Sequence, residues 1–331
     1  MRNIFLVLIL VFKVVMVFGQ DTLPFEPSGS PVLRVFSNFV APLGGEDQKT
    51  SFELRRAYMG YRYQLYEDWE AAIVLDIGSP NDDSPYSLLK RYAYFKIASL
   101  TYNRDNLRIQ AGIIPRYSMQ APESFWGRRY IEKVFLDAYR FAPTADIGVG
   151  LDYTISKKIS VYTALMNGEG YDQLQHDNTY EWSVGLNYLP LDWLFFRVNL
   201  DYSKKAITET MSSLFAGLRL KNGFVFGAEY NFLNNEDFEK GTHRGGYSIY
   251  GHKTWNKKYS VFARYDWLQS NIPSGYNHPW NLAKDGSALL YGVEYYPKPK
   301  IHLSVNYQDW FPAANDLANT KGLYINLEFR L

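Results

Sequence analysis

Five basic residues, Arg116, Arg128, Arg129, Lys133 and Arg140, share the 29-residue stretch 115–143 with three acids, Glu123, Glu132 and Asp137. Arginine presents a planar fork of donors that matches phosphate and carboxylate. In a narrow, low-dielectric passage such charges act on anions more strongly than in bulk water. The stretch also carries seven aromatic residues, too many for a disordered linker. Other chemistry is poorly supplied. His302, Ser304 and Asn306 share one face of a predicted strand, but neighbours two apart on a strand do not form the nucleophile–base–orienter relay of a hydrolase. His176, His243, His252 and His278 show no ligand spacing. There is no cysteine, which excludes a thiolate metal site and a disulfide scaffold. Asp82-Asp83 and Asn234-Asn235-Glu236-Asp237 read as solvated loop charge, and His243-Arg244-Gly245-Gly246 as a flexible rim segment. No catalytic residue, metal or cofactor is expected.

The elements around this stretch are legible from alternation. Period-2 alternation of apolar and polar residues marks strands with two unlike faces. It recurs over 32–40, 51–66, 69–78, 90–102, 107–114, 145–155, 159–167 and 180–189. It continues over 193–202, 211–220, 224–232, 246–255, 259–268, 287–296, 301–310 and 322–331, which makes sixteen strands. In 193–202, for example, Leu194, Phe196, Val198 and Leu200 alternate with Phe195, Arg197, Asn199 and Asp201. Every second connection is tiny, such as Glu67-Asp68 or 156–158. The others run from about seven residues (203–210) to the 29 of 115–143. Short turns at one rim and long loops at the other are the pattern of an outer-membrane β-barrel, and an even strand number puts both chain ends on the short-turn side. In hydrocarbon the sheet must close, because an open edge has nothing to hydrogen-bond.

The start of the chain fits export. Arg2 precedes an apolar run, residues 4–18, interrupted only by Lys13, and Gly19 offers a cleavage point before Gln20. The expected organisation is a signal peptide over 1–19, a short periplasmic lead over 20–30 and a transmembrane barrel over 31–331. The formal charge of +1 over 331 residues does not fit a nucleic-acid binder. The aromatic content of 17% suits the belts at the two membrane interfaces.

Several short motifs resemble the phosphate-selective porin O/P family. They are Phe52-Glu53-Leu54-Arg55-Arg56-Ala57, Asp68-Trp69-Glu70 and Val74-Leu75-Asp76, then Leu107-Arg108-Ile109-Gln110-Ala111-Gly112 with Pro115 and Ser118, and Arg128-Arg129-Tyr130-Ile131-Glu132. The resemblance covers 51–153 and beyond that rests on rhythm. It implies an all-β, sixteen-stranded antiparallel transmembrane barrel in the bacterial outer membrane, a homotrimer, and a long third outer loop folded into the lumen. It also implies lumen cations that guide phosphate. Leu331 departs from the family's terminal aromatic, with Phe329 two residues earlier.

Alternation assigns Arg56, Arg62, Lys96, Arg108, Arg197, Arg219, Arg264 and Arg330 to the inward face. It also sends Glu70, Asp76, Asp146, Asp152, Asp201, Glu229, Asp266, Glu294 and Glu328 inward. The wall is therefore nearly balanced, and the excess of two positive charges in 115–143 makes Arg116, Arg128, Arg129, Lys133 and Arg140 the candidates for a selective constriction. Ile131, Val134, Phe135 and Ala138 have helical spacing. Two readings stay open: the five cations face the water path, or they pair with Glu132, Asp137 and wall acids. The expected role is passive diffusion of small hydrophilic solutes, anions such as phosphate in the specific version. The alternative is a barrel-anchored surface receptor or adhesin with a plugged lumen.

Overall fold

The computed structural model describes residues 25–44, 49–78 and 92–331. The expected leader, residues 20–24 of the lead, and Asp82-Asp83 lie outside them. Sixteen strands follow one another: β1 Ser28–Pro42, β2 Ser51–Tyr66, β3 Trp69–Gly78, β4 Tyr92–Arg104, β5 Leu107–Pro115 and β6 Ala145–Ser156. Next come β7 Ile159–Met166, β8 Glu181–Leu191, β9 Leu194–Lys204, β10 Thr208–Arg219 and β11 Phe224–Asn234. The ring is completed by β12 His243–Trp255, β13 Tyr259–Ser270, β14 Gly286–Lys298, β15 Ile301–Pro312 and β16 Thr320–Arg330. Each pairs with its sequence neighbours, and β1 pairs antiparallel with β16 from Arg34↔Arg330 to Pro42↔Gly322, so the sheet is a closed barrel. All sixteen predicted strands are present, with boundaries displaced by at most four residues. The connection expected over 203–210 is tighter, residues 205–207, because β9 and β10 run on past it.

The burial pattern is the reverse of a water-soluble protein's. Along β9, Arg197, Asn199, Asp201 and Ser203 are buried while Phe196, Val198, Leu200 and Tyr202 are exposed. β11 and β13 repeat this, with Glu229, Asn231, Arg264 and Asp266 buried and Phe226, Tyr230, Val261 and Tyr265 exposed. Exposing apolar faces on so many strands is tolerable only in an apolar solvent, since each large side chain otherwise forfeits about 1.5–3 kcal/mol of burial. The exposed face is graded. Aliphatic Ile73, Val149, Val198, Ile249, Val293 and Ile325 lie mid-strand, whereas Tyr66, Trp193, Trp255 and Tyr259 flank the short turns and Phe52, Trp182, Tyr230 and Phe311 lie toward the other rim. That is the apolar band between aromatic girdles of a transmembrane barrel.

Two helices interrupt the residues between β5 and β6: α1, Tyr117–Trp126, and α2, Phe135–Ala138. Only the second lies where helical spacing was expected, and it is a single turn. α1 ends at Gly127, whose φ of 64° supplies the left-handed C-cap and whose N–H reaches the Glu123 carbonyl at 2.8 Å. This segment and the buried wall side chains share one apolar core, including Phe125, Trp126, Ile131 and Phe135 of the segment with Phe215, Tyr250, Phe262 and Leu290 of the strands. A side chain at Gly217 would place its Cβ 2.4 Å from the Phe125 ring, so the wall keeps glycine where α1 seats.

The outward face carries a first prediction. Val198→Arg, at the middle of β9, should destabilise the barrel by about 2–4 kcal/mol in urea unfolding from lipid vesicles. A change within about 0.5 kcal/mol would mean that this face does not meet hydrocarbon.

Candidate functional site

A loop carried inside a sheet ring takes its backbone carbonyls away from water, and buried carbonyls need donors. The wall supplies them mainly from arginine. Arg55 on β2 donates Nη1 to the Ile131 carbonyl at 2.9 Å, and Arg219 on β10 donates Nη2 to the Ser124 carbonyl at 2.9 Å and to its Oγ at 2.5 Å. Arg244 on β12 reaches the carbonyls of Tyr139 at 2.8 Å and Arg140 at 3.3 Å. Arg197 on β9 donates to the Tyr117 carbonyl and Arg264 on β13 to that of Lys133. The Tyr250 hydroxyl donates to the Pro122 carbonyl at 3.0 Å. The segment is thus held from β2 and from β10, eight places apart in the ring of sixteen.

Its own cations answer to wall acids. Arg116, 1% exposed, pairs with Glu181, with Asp201 at 3.2 Å and with Asp146 at 3.9 Å. Arg128 pairs with Glu294 at 2.6 Å and donates to Ser260 Oγ at 2.9 Å, while the Tyr130 and Tyr296 hydroxyls donate to the same carboxylate at 2.7 Å each. Burial, reinforced by the Glu294 charge, pushes the Tyr130 hydroxyl far above the usual phenol range. Arg140 is exposed on a left-handed backbone, φ 56°.

A second group of cations gathers on the side of β2 to β4. Arg129 donates Nε to the Tyr58 hydroxyl at 2.8 Å and pairs through Nη1 with Asp137 at 2.6 Å and Glu123 at 3.0 Å. Lys133 Nζ lies 3.5 Å from the same Asp137. Arg56 pairs with Asp76 at 3.2 Å, and Lys96 donates to Thr144 Oγ1 at 2.6 Å with Asp76 at 3.9 Å. The Lys96 ammonium also stands 4.7 Å from the Tyr171 ring centre, and the Tyr171 hydroxyl donates to Asp76 at 2.8 Å. With Arg55 there are five cations against Asp76, Asp137, Glu123 and Glu132. Burial pushes the Asp137 carboxyl up, but Arg129, Lys133 and Lys96 outweigh it and hold the group down at about 2. Burial, with repulsion from Arg56 and Arg129, pulls the Lys133 ammonium below its ordinary 10.5.

Two β-bulges build this group. The register shift between Phe36 and Ser37 leaves Arg55 as an extra residue on β2, and the shift between Val74 and Leu75 does the same for Lys96 on β4. An extra residue changes the parity of the strand beyond it. Arg55 and Arg56 therefore both turn to the buried side, as do Lys96 and Ile97. Alternation had admitted only one of the two arginines, so Arg55 was missed. Arg244 was missed too: 243–246 reads as a flexible rim segment, whereas it opens β12 and Arg244 is buried against Glu236 at 2.5 Å.

The remaining predicted wall residues are less engaged with the segment. Arg62 is exposed and pairs with Glu70 at 3.2 Å. Arg108 stands opposite Asp152 in the ladder. His302 lies 2.9 Å from Glu328, and Ser304 accepts from Asn326 at 3.1 Å, which is no catalytic relay.

No family model matches the chain, and no curated relative is found at the sequence level. Solved structures match over nearly the whole chain. The outer membrane channel DcaP of Acinetobacter baumannii superposes with a TM-score of 0.66 at 10% identity, over 92% of this chain and 97% of that one. Pseudomonas putida OprB gives 0.70 at 6% identity, over 92% and 94%. The trimer form of OmpT, an outer membrane protein of Vibrio cholerae, gives 0.60 at 11% identity, over 93% and 100%. This chain shares their fold. At these identities the likeness carries no residue role across.

The Arg129–Asp137 pair tests how the segment is held. Arg129→Met takes from the buried Asp137 the nearer of its two cations, leaving Lys133 at 3.5 Å, and should weaken docking by about 1–3 kcal/mol, read as faster hydrogen exchange over residues 128–141. Adding Asp137→Leu removes the under-compensated carboxylate and should recover part of the loss. Equal exchange in the single and double variants would show that the pair does not hold the segment.

Proposed function

We propose that the protein is an outer-membrane porin in which residues 116–144 fold into the lumen and set the route through it. The observation that carries this reading is the closed ring of sixteen strands with an apolar outside and a polar inside. A ring of that size is too wide for wall side chains alone to fill and leaves an aqueous channel. The segment's bonds to β2, β9, β10, β12 and β13 support its place across that space. Diffusion down a gradient needs no catalytic step. Export through the periplasm follows from the leader in the sequence. A homotrimer follows from the family resemblance and from the trimer form of OmpT.

The reading extends to a preference for small anions. Arg116 and Arg128 are neutralised by deeply buried acids, which makes them anchors. The passing solute is left with the side lined by Arg55, Arg56, Lys96, Arg129 and Lys133, five cations against Asp76, Asp137, Glu123 and Glu132, while Arg140 lies beyond it beside Glu169 and Asp172. Rings and patches of cationic side chains select anions in pores. Phosphate is the specific candidate by resemblance, and its two-oxygen match to a guanidinium fork supports it.

One observation favours a second reading, a barrel whose lumen is closed. Among the described residues, spaces of limited size flank the segment: about 310 Å³ beside Phe125, Arg197 and Arg219, about 280 Å³ beside Tyr139, Arg264 and Trp310, and about 320 Å³ beside Arg140, Tyr171 and Asp172. If they stay unconnected, the chain is a surface-exposed receptor or adhesin on a plugged barrel.

Planar bilayers under a salt gradient distinguish the cases. The expected reversal potential is that of an anion-preferring channel, and Lys96→Glu with Lys133→Glu should move it toward cations. Cation preference in the unaltered protein would overturn the anion reading, and absence of channel steps would favour the plug.

A further inference from the structure

The short-turn rim divides into two unlike halves. Residues 219–225, 252–260 and 295–302 form the last three short turns and their flanks. They contain Lys221, Lys253, Lys257, Lys258, Lys298 and Lys300 and no aspartate or glutamate. The first four turns carry Glu67, Asp68, Asp105 and Asp192 beside Arg104, Lys157 and Lys158. Among the described residues, no salt bridge joins any of the six lysines to a carboxylate, and all but Lys253 are exposed. The turns join β10 to β11, β12 to β13 and β14 to β15, so six adjacent strands present this charge. At nearly 5 Å between strands the arc spans roughly 25 Å.

An apolar groove of about 550 Å³ lies on the outward face above the middle of that arc. Its floor is Gly251 beside Ala263, direct cross-strand partners. Phe226, Ile249, Val261 and Tyr265 form its sides. Two small residues side by side leave this recess in a wall of large ones, with the Phe226 ring leaning over Gly251 and Ala263 exposed beside it. Lys253, two residues from Gly251 on the same face, closes the groove on the turn side. Its ammonium donates to the Asn222 carbonyl and stands 4.3 Å from the Phe224 ring centre. Lys257 adopts φ 55° in the turn between β12 and β13, with Lys258 next to it.

We propose that this groove and its lysine rim form a docking site for an anionic phospholipid, with one acyl chain along Gly251 and Ala263 and the phosphate at Lys253, Lys257 and Lys258. An apolar slot that ends in ammonium groups paired with no carboxylate matches an amphiphile whose head is negative. Basic clusters beside a membrane-embedded surface draw anionic headgroups in this way. The six lysines make this arc the part of the rim that anionic lipid prefers. The site does not depend on whether the lumen conducts. It rests only on the barrel being embedded in a bilayer.

The test uses the full-length protein in nanodiscs of phosphatidylethanolamine with one-fifth phosphatidylglycerol, with bound lipid read by native mass spectrometry. Unaltered protein should retain phosphatidylglycerol well above its share. The variant Lys253→Gln with Lys257→Gln and Lys258→Gln should lower that retention roughly tenfold. Lys157→Gln with Lys158→Gln, on the other half of the rim, should leave it unchanged. Ala263→Phe, which fills the groove without altering charge, should also lower it, whereas adding inorganic phosphate should not compete. Retention in proportion to lipid composition, or retention unaffected by the triple variant, would overturn the proposal. Heat-modifiable migration on gels, scored for every variant, reports barrel insertion separately. A protein that inserts without lipid preference fails this proposal alone, and one that never inserts fails the membrane reading as well.

Discussion

A buried backbone carbonyl needs a donor, and two solutions to that requirement account for this architecture. In the wall the solution is closure: each strand hydrogen-bonds two neighbours, and β1 meets β16, so no edge is left in hydrocarbon. Between β5 and β6 closure is not available. There the carbonyls of Tyr117, Ser124, Ile131, Lys133, Tyr139 and Arg140 are served by guanidinium groups of β2, β9, β10, β12 and β13. The wall arginines are therefore first of all part of the scaffold. That is why a nearly balanced set of inward charges is compatible with the proposed locally positive route: many of the charges hold the segment and each other.

The ionic pairs divide by how their carboxylates are shared. Arg116 and Arg128 sit among carboxylates that tyrosines and wall strands also hold, so neither is free to meet a solute. The group around Tyr58 and Tyr171 is arranged otherwise. Arg129 and Lys133 share Asp137, and Arg56 and Lys96 share Asp76, which leaves each carboxylate divided between two cations. Burial, with added repulsion from Arg56 and Arg129, pulls Lys133 below the ordinary lysine value. A passing anion relieves that repulsion, and this is the physical basis for the proposed preference.

How much of this was legible in the sequence follows from its periodicities. Strand faces obey a period of two, so β9, β11 and β13 could be assigned residue by residue, and turn lengths gave the ring its two rims. A bulge breaks the period by one residue without a fixed signature, so Arg55 was hidden behind Arg56. α1 was hidden for a different reason. It buries Tyr117, Ser118, Met119, Ala121, Pro122, Phe125 and Trp126, and the polar stripe that remains, Gln120, Glu123 and Ser124, spans little more than one turn, too short to stand out as a period. Pro122 inside it argues against a helix on propensity alone. Packing of Phe125 and Trp126 on β9, β10, β12 and β13 overrides that propensity, and such packing cannot be read from local sequence.

The central claim is that residues 116–144 govern passage through the barrel. Single-channel conductance tests it most directly, comparing the intact protein with a variant in which residues 117–142 are replaced by a short glycine–serine link. The account predicts discrete steps from the intact protein and a several-fold larger conductance, with weaker ion preference, from the shortened one. Identical conductance and selectivity in two correctly inserted proteins would contradict it.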